Sequence, residues 1–207
     1  MSGATESKFD IRCVLFDLDG VVRQFDRERY DAVERAHGLT PGTIGRSAFE
    51  PDRIKALVTG GLTRAQWMLQ VGELVGAPAA VRAWAEVGTV ADDEVLAIVD
   101  EVRAHGIPAA ILTNGTDTVP AELADLGIDT HFDTLFNTAE IGVAKPDPAI
   151  YHHVCAQLGL SPARIFFTDD SPGNVIAATE VGLVAEPFTG AGPLRSQLIE
   201  LGVLSPR

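Results

Sequence analysis

The stretch CVLFDLDGVV, residues 13–22, carries the clearest fold signal in the chain. An uninterrupted apolar run ends at Asp17, and a second acid, Asp19, follows one leucine later and precedes Gly20. Such a run is typical of a strand that is buried on both faces of a sheet. A charge at the end of a buried strand is costly unless it is paired. The two acids therefore either form a turn, which Asp-Gly favours, or bind a cation and take part in a reaction.

Four further apolar runs predict strands, and helical patterns separate them. The runs are IPAAILTNG (107–115), ARIFFTDD (163–170), GLVAEPF (182–188) and the weaker THFDTLFNT (130–138). Amphipathic or proline-initiated helical patterns cover 91–106, 117–127, 145–159 and 171–182. The alternation of strands and helices predicts an α/β fold, a Rossmann-like open parallel sheet with helices on both faces.

The segment 22–88 interrupts this alternation, because it contains no convincing strand and four helical patterns. We therefore predict a Rossmann-like core from 1–21 and 89–207, with 22–88 inserted as a small, all-helical cap domain. The chain of 207 residues is long enough for both. The glycines at positions 42, 45, 60 and 61 suggest joints in this segment, and we expect the cap to close over the site and exclude water.

Composition narrows the class of ligand and the compartment. The formal net charge is −13 and the isoelectric point is about 4.7, so binding to a nucleic acid is not expected. Neither a signal peptide nor a membrane-length apolar run is present, so a membrane partner is not expected. Cys13 and Cys155 fit buried thiols in a reducing compartment, with a disulfide or a metal-binding pair as the alternative. We expect a cytoplasmic protein, and nothing in the sequence indicates its oligomeric state.

Three predicted strands end in polar residues, and a lysine precedes one predicted helix. These residues are Asp17, Asp19, Thr113, Asn114, Asp169, Asp170 and Lys145. Because ligands of open parallel sheets bind beyond the carboxyl ends of the strands, we expect these side chains to share one edge. Four clustered carboxylates would repel one another, and a divalent cation would resolve that conflict. With oxygen ligands and no competing cluster of His or Cys, Mg²⁺ is the expected cofactor.

The motifs DLDGV, LTNG, KPDP and TDDS, in this order and spacing, resemble those of the haloacid dehalogenase-like hydrolase superfamily. The resemblance runs from about residue 11 to 186, and the helical insert is similar to that superfamily's small cap. It implies a Mg²⁺-dependent phosphatase that hydrolyses a small phosphorylated metabolite through an aspartyl-phosphate intermediate. Sugar phosphates are the substrate class that the resemblance implies.

The resemblance also implies catalytic and phosphate-binding roles. Asp17 would be the nucleophile. Asp19 would protonate the leaving oxygen and then act as the base for the attacking water. Thr113 and the backbone around Asn114 would hold phosphoryl oxygens. Lys145 would offset the negative charges of Asp17 and of the phosphoryl group.

The metal ligands implied by the resemblance are four acids. Asp17, the main-chain carbonyl of Asp19, and Asp170 would bind Mg²⁺ directly, and Asp169 would bind it directly or through water. One position departs from the superfamily's pattern. Many members carry another acid four residues after Asp170, where this chain has Asn174. An amide is a weaker partner for a metal-bound water, so this departure concerns the outer metal shell.

Other functions stay open at this stage. A phosphosugar mutase of the beta-phosphoglucomutase kind has its cap in the same position. A haloacid dehalogenase shares the nucleophile, but members of that class lack an acid two residues after it. A phospho-signalling receiver has a similar acidic site, although its phosphorylated Asp follows the acidic pair. A non-catalytic binding protein is the remaining alternative.

No motif in the cap segment identifies a substrate. Arg23, Phe49 and Arg53 are candidates to face the cleft between cap and core. We interpret a further group in a predicted cap helix as packing residues, namely Arg64, Trp67 and Met68.

Overall fold

A five-stranded parallel sheet forms the centre of the computed structural model, which describes residues 10–206. Within that range the strands are β1 (Cys13–Phe16), β2 (Arg23–Phe25), β3 (Thr89–Ala91), β4 (Ala109–Thr113), β5 (Thr134–Asn137), β6 (Ile165–Asp169) and β7 (Val184–Pro187). The central sheet has the order β5-β4-β1-β6-β7, with every pair parallel. The five strands that the sequence predicts for the core are therefore confirmed.

Strand β1 lies in the middle of this sheet and is buried on both faces. Successive side chains point to opposite faces of a strand. Val14 and Phe16 join the apolar cluster on one face, whereas Cys13 and Leu15 join the cluster on the other. This arrangement explains why β1 appears in the sequence as a continuous apolar run and not as an alternating one.

Helices cover both faces of the sheet. The helices that follow β3 in the chain are α6 (Asp93–Ala104), α7 (Val119–Asp125), α8 (Thr138–Ile141), α9 (Pro148–Leu158), α10 (Pro172–Val181) and α11 (Ala191–Glu200). Short 3₁₀ turns cover Ile128–His131 and Pro162–Arg164. Local sequence sets the starts of the helices: Asp92 and Asp147 accept hydrogen bonds from the first-turn amides of α6 and α9. The Rossmann-like α/β fold is confirmed.

Five helices lie between β2 and β3, and we call them the cap helices. They are α1 (Arg27–Ala36), α2 (Thr43–Ala48), α3 (Pro51–Val58), α4 (Arg64–Val75) and α5 (Pro78–Ala85). They enclose a small apolar cluster of their own around Ile44, Trp67 and Val71. The helical character of this segment agrees with the sequence prediction.

The expectation of no strand within 22–88 is wrong at one place. Strand β2 pairs antiparallel with β3, with Gln24 opposite Val90, and the two strands join the cap helices to the core. Each strand has only three residues, and of their side chains Arg23 is buried whereas Gln24, Phe25 and Val90 are exposed. Neither a long apolar run nor a clear alternation was therefore available to mark them.

The chain changes direction across the sheet between β1 and β6. After β1 it builds β4 and β5 on one side, and then crosses back to build β6 and β7 on the other. In open α/β sheets such a reversal leaves a crevice beyond the strand ends, where ligands bind. In residues 10–206 no helix is both long enough and apolar enough to cross a membrane.

Both cysteines agree with the interpretation as buried thiols. Cys13 and Cys155 are buried and form no disulfide. Burial raises the pKa of the Cys13 thiol to about 12, which keeps it protonated and unreactive.

Candidate active site

The register of the sheet brings Asp17 to the crevice. Phe16 pairs with Ile111 of β4 and with Thr168 of β6, so Asp17 is the first residue beyond the end of the central strand. Its backbone N–H still donates to the Thr168 carbonyl at 2.9 Å, and its Oδ1 accepts from the Leu18 N–H at 2.7 Å. Asp17 is thus held at a fixed position and is buried.

Lys145 lies between two carboxylates at this edge. Its Nζ is 2.7 Å from Asp17 Oδ1 and 2.7 Å from Asp169 Oδ2, and it donates to the Leu112 carbonyl at 2.9 Å. All three donors of the ammonium are therefore used, and its side chain is only 1% exposed. Burial alone would lower the pKa of Lys145, but the charges of Asp17 and Asp169 raise it above its ordinary value. The lysine is accordingly a buried cation.

Asp17 is the carboxylate most affected by this environment. Burial and the charge of Asp169 together raise the pKa of Asp17 to about 7, against the opposing effect of the Lys145 ammonium. A divalent cation next to Asp17 would favour its ionised form. With Asp17, Asp169 and Asp170 ionised and Lys145 protonated, the group therefore carries a net charge of −2, which a divalent cation would balance.

Three carboxylates fit a hard cation in their placement and chemistry. Oxygen atoms of Asp17, Asp169 and Asp170 lie within 4.8 Å of one another. Gly20 lets the loop after β1 approach this group closely: with φ +89, a Cβ there would lie 2.3 Å from Asp170 Oδ2. Burial and the charge of Asp169 raise the pKa of Asp170, as expected for an acid lacking a compensating cation. An all-oxygen donor set of this kind suits Mg²⁺.

Within this group, Asp169 has most of its acceptor capacity occupied by protein donors. Its Oδ1 accepts from the Ser171 N–H at 2.8 Å and its Oδ2 from Lys145 at 2.7 Å, and Asn174 Nδ2 lies 3.0 Å from both oxygens. A carboxylate offers about four lone-pair sites. Asp169 is therefore arranged to hold Lys145 and the start of α10, whereas Asp170 is partly exposed and faces the loop after β1.

Asp19 points away from this group and toward the cap helices. Its Oδ1 accepts from Arg23 Nε at 2.5 Å, and both residues line the cleft between the cap helices and the core. The three-acid group does not include the Asp19 carboxylate. Its side chain is 35% exposed, so it has access to a molecule in the cleft.

Arg23 continues into a charged network that joins the cap helices to the core. Its Nη1 donates to Glu122 Oε2 at 2.8 Å, and Arg64 of α4 donates to Glu122 Oε1 at 2.6 Å. Burial would raise the pKa of Glu122, but hydrogen bonds from Thr118 and Arg23 lower it below its ordinary value. Sequence reasoning missed Glu122, because its partners lie 99 and 58 residues away along the chain.

Thr113 and Asn114 lie at the end of β4, as predicted. Thr113 is buried, and Asn114 lines the cleft. The Asn114 amide makes a reciprocal pair of 2.9 Å hydrogen bonds with the backbone of Lys145, accepting from its N–H and donating to its carbonyl. The side chain of Asn114 therefore fixes the position of Lys145. Gly115 is needed beside it, because a Cβ there would lie 2.7 Å from Val119 and 2.8 Å from Asn137.

The cleft has a volume of about 350 Å³ and is lined on one side by the cap helices. Of the candidate cleft residues, Arg23 and Phe49 line it, and so do Arg64 and Trp67, which the sequence had suggested as packing residues. Arg53 does not line it; its guanidinium donates to the Ser47 carbonyl. Met68 packs against the apolar cluster of the cap helices, as interpreted.

The family of the chain follows from a match to residues 11–182, which fit the model of the haloacid dehalogenase-like hydrolases. The chain belongs to this family. The resemblance inferred from the four motifs is confirmed, and the protein is a hydrolase by family. The matched region includes both acid pairs, Lys145 and all five cap helices.

Two curated relatives of this haloacid dehalogenase-like hydrolase are named as phosphatases. Phosphatase MT3486 of Mycobacterium tuberculosis is 26% identical over 207 residues, which cover 91% of this chain and 92% of that protein. Sesquiterpene phosphatase astK of Aspergillus oryzae is 33% identical over 103 residues, covering 47% of this chain and 50% of that enzyme. The chain thus matches only about half the length of the latter.

Solved structures share the fold. A haloacid dehalogenase family enzyme of Bacteroides thetaiotaomicron, solved with magnesium and inorganic phosphate, superposes with a TM-score of 0.72 at 24% identity. The alignment covers 86% of this chain and 93% of that one. At this level of identity the likeness confirms the fold and leaves the chemistry to be argued from the residues.

The departure from the family pattern at Asn174 gives a testable prediction. Asn174→Asp would place a carboxylate where the Asn174 amide now donates to both oxygens of Asp169. Like charges at this distance disfavour the folded state. In the presence of a chelator, we expect Asn174→Asp to lower the unfolding free energy by about 2–3 kcal/mol. Asn174→Ala, which only removes the hydrogen bonds, should cost less. Urea denaturation of both variants would measure this, and equal losses would contradict the like-charge argument.

Proposed function

We propose that this protein is a Mg²⁺-dependent phosphomonoesterase that acts on a small phosphorylated metabolite through an aspartyl-phosphate on Asp17. One observation carries the proposal: Lys145 Nζ lies 2.7 Å from both Asp17 and Asp169 at the end of the central strand. This contact supports the proposal because it joins the carboxylate that would act as nucleophile to a buried cation and a second acid. The phosphatase names of the curated relatives support the same reaction class.

The first half-reaction would use Asp17 and Asp19. A carboxylate oxygen of Asp17 forms a bond to phosphorus while the bond between phosphorus and the ester oxygen breaks. Asp19 gives a proton to the leaving oxygen, and its position in the cleft suits this task. Lys145 offsets the negative charge of the transferring group. Thr113 and the backbone of Asn114 would hold the phosphoryl oxygens.

The second half-reaction would return the enzyme to its starting state. The ionised Asp19 accepts a proton from water, and the water oxygen forms a bond to phosphorus. The bond between phosphorus and Asp17 then breaks, releasing inorganic phosphate and the free carboxylate. An acid–base group of this kind typically contributes about 10²–10⁴-fold.

Asp17, Asp170 and the main-chain carbonyl of Asp19 would hold Mg²⁺, and Asp169 would contact it through water, because protein donors occupy its oxygens. When bound, Mg²⁺ would neutralise charge on the phosphoryl group and favour the ionised form of Asp17. We also propose that residues 22–88 act as a cap over the site. The contacts of Arg64 with Glu122 and, through its backbone N–H, with Asp117 support this placement.

Metal dependence tests the proposal directly. We expect phosphate release from a panel of phosphomonoesters in millimolar Mg²⁺, and loss of at least about 95% of it in excess EDTA. Activity should return when Mg²⁺ is added back. Release that is unchanged by EDTA, from protein shown to be free of metal, would contradict the proposed metal site. Release of halide from a 2-haloacid without phosphate release would instead favour the dehalogenase alternative.

A further inference from the structure

We infer that the cleft accepts the uncharged, aromatic body of a phosphomonoester that carries a single phosphate. The inference rests on the proposed phosphatase function and narrows its substrate class. It comes from the part of the cleft where the cap helices and β2 present a row of aromatic rings.

The aromatic wall consists of five side chains in mutual contact. They are Phe25, Tyr30, Phe49, Trp67 and Trp84. Their ring centroids follow one another at 6.2 Å (Phe25–Tyr30), 4.7 Å (Tyr30–Trp84), 6.2 Å (Phe49–Trp84 and Phe49–Trp67) and 6.5 Å (Trp67–Trp84). The wall includes both tryptophans of the chain and one of its two tyrosines. Ring spacings in this range suit edge-to-face and offset contacts with a further ring.

Two members of the aromatic wall are too exposed to serve only as core. Phe49 is 56% exposed and Phe25 is 45% exposed, whereas Trp67 is 6% exposed. Trp67 and Trp84 pack against the apolar cluster of the cap helices, so packing accounts for them. Packing accounts least for Phe49, which lines the cleft, and Phe25 also lines it beside the Arg23 guanidinium, which lies 5.9 Å from the centroid of its ring. An exposed apolar surface beside a reaction site is the usual sign of a ligand contact.

The wall offers few groups for the hydroxyls of a sugar. Tyr30 Oη already donates to the Val87 carbonyl at 3.1 Å, and Trp67 Nε1 donates to the Ala48 carbonyl at 3.1 Å. The cap backbone therefore uses two of the three polar side-chain groups of the wall, the third being the indole N–H of Trp84, and the rings present mainly apolar surface. A hydroxyl that loses water against such a surface without a new partner is penalised, whereas an aromatic ring gains from its burial.

Charge at the floor of the cleft argues against a second anionic group on the substrate. Among the described residues that line the cleft, four are acidic and two are basic: Asp19, Glu86, Glu122 and Asp125 against Arg23 and Arg64. Both guanidiniums are paired, Arg23 with Asp19 and Glu122, and Arg64 with Glu122. A carboxylate or a second phosphate on the substrate body would meet excess negative charge. The site for the one phosphate lies instead beside Lys145.

The test compares esters of primary alcohols, because aryl phosphates react faster through their better leaving groups whatever the binding site. We expect kcat/KM for 2-phenylethyl phosphate to exceed that for glucose 6-phosphate by about tenfold or more. A carboxylate at the para position of the ring should lower kcat/KM by about tenfold. Comparison with 2-cyclohexylethyl phosphate separates aromatic recognition from general apolar recognition. A preference for glucose 6-phosphate, or equal use of the cyclohexyl ester, would overturn the inference.

Substitutions inside and outside the aromatic wall test whether the wall causes the preference for an aromatic ester. Phe49→Ala is expected to lower kcat/KM for 2-phenylethyl phosphate by about tenfold and to leave that for glucose 6-phosphate within about twofold. Leu69→Ala is the matched control, since Leu69 is 65% exposed on α4 but does not line the cleft. It should leave both values unchanged. Equal losses for both substrates in Phe49→Ala would mean a structural role in the cap and would overturn the inference.

Failure of the proposed function can be distinguished from failure of this inference by a binding measurement. The two tryptophans of the chain, Trp67 and Trp84, both line the cleft, so their fluorescence reports its occupancy without turnover. In Mg²⁺, 3-phenylpropylphosphonate should bind at least about tenfold more tightly than 3-hydroxypropylphosphonate. If no ester is hydrolysed, the phosphatase proposal fails, and this ratio, together with tighter binding than 3-cyclohexylpropylphosphonate, then decides the inference. A ratio near one overturns it.

Discussion

Asp17→Asn is expected to reduce Mg²⁺-dependent phosphate release by a factor on the order of 10⁴ or more. An amide oxygen is a poor nucleophile toward phosphorus, and loss of a nucleophile typically removes most of an enzyme's rate enhancement. The substitution is close to isosteric, and Lys145 keeps its bonds to Asp169 and to the Leu112 carbonyl. The loss should therefore arise from chemistry and not from unfolding. Steady-state phosphate release in Mg²⁺ measures it, and far-ultraviolet circular dichroism checks the fold.

Trapping the aspartyl-phosphate intermediate would distinguish loss of the nucleophile from an indirect loss of activity in Asp17→Asn. Acid quenching during turnover of a ³²P-labelled ester should trap label on the wild-type chain and none on Asp17→Asn. Asp19→Asn is the control, because it keeps the nucleophile and removes the proton donor. It should slow turnover by about 10²–10⁴-fold while still accepting label from an ester with a good leaving group. Label on Asp17→Asn at the wild-type level would assign the nucleophile to another residue.

The sequence predicted the core and its polar edge because their signals are local. Strand β1 is buried on both faces, and this burial requires an unbroken apolar run, which ends at Phe16, directly before Asp17. Helix α9 is marked by Asp147 and Pro148 at its start, which are visible without any knowledge of the fold. In a parallel sheet all strand ends lie at one edge. The sequence pattern and this topology together were sufficient to place Asp17 near Asp169.

The parts that the sequence did not predict depend on distant partners or on short elements. Helix α2 has only six residues, so its pattern was too short to identify. The residue at its N-cap is Gly42, which has no side chain to mark the start of the helix. Helix α11 was also not anticipated. Its N-cap residue is Gly190, which again has no side chain to cap the helix. Such elements are stabilised by tertiary packing more than by local signals.

The contacts of the site residues were also invisible in the sequence. Asn174 appeared to be a weakened outer ligand of the metal, whereas in the fold its amide donates to both oxygens of Asp169. Glu122 appeared to be an ordinary acid in a predicted helix, and it joins Arg23 to Arg64. Both roles depend on side-chain directions that only the packed structure defines. The composition of the aromatic wall likewise required the cap helices to be assembled.

Lys145→Ala is expected to have the largest effect on stability among single substitutions at the site. In a chelator it should lower the unfolding free energy by about 3–5 kcal/mol, because it leaves the buried carboxylates of Asp17 and Asp169 without their cation. Catalysis should fall as well, by a factor on the order of 10² or more, since the transferring charge loses a fixed partner. Urea denaturation measures the first effect and phosphate release the second.

Charge, and not lost packing, should account for this destabilisation, and three comparisons can show it. Lys145→Met keeps an apolar stem near the Phe167 ring and should lose nearly as much stability as Lys145→Ala. Lys55→Ala, at an exposed lysine of α3, should lose almost none. Mg²⁺ should restore part of the stability of both Lys145 variants by supplying positive charge at the same carboxylates. If Lys145→Met were as stable as the wild type in chelator, the carboxylates would not need the cation.

The pH dependence of the Lys145 variants follows from the same charges. Burial already raises the pKa of Asp17 to about 7 with the lysine present, and removal of the ammonium raises it further. The folded state of the variant then binds protons more readily than the unfolded state, so its stability falls as pH rises. The difference from wild type should accordingly be smaller near about pH 5 than near about pH 8. A difference that grew on acidification would require another source of the destabilisation, because protonated carboxyls no longer repel one another.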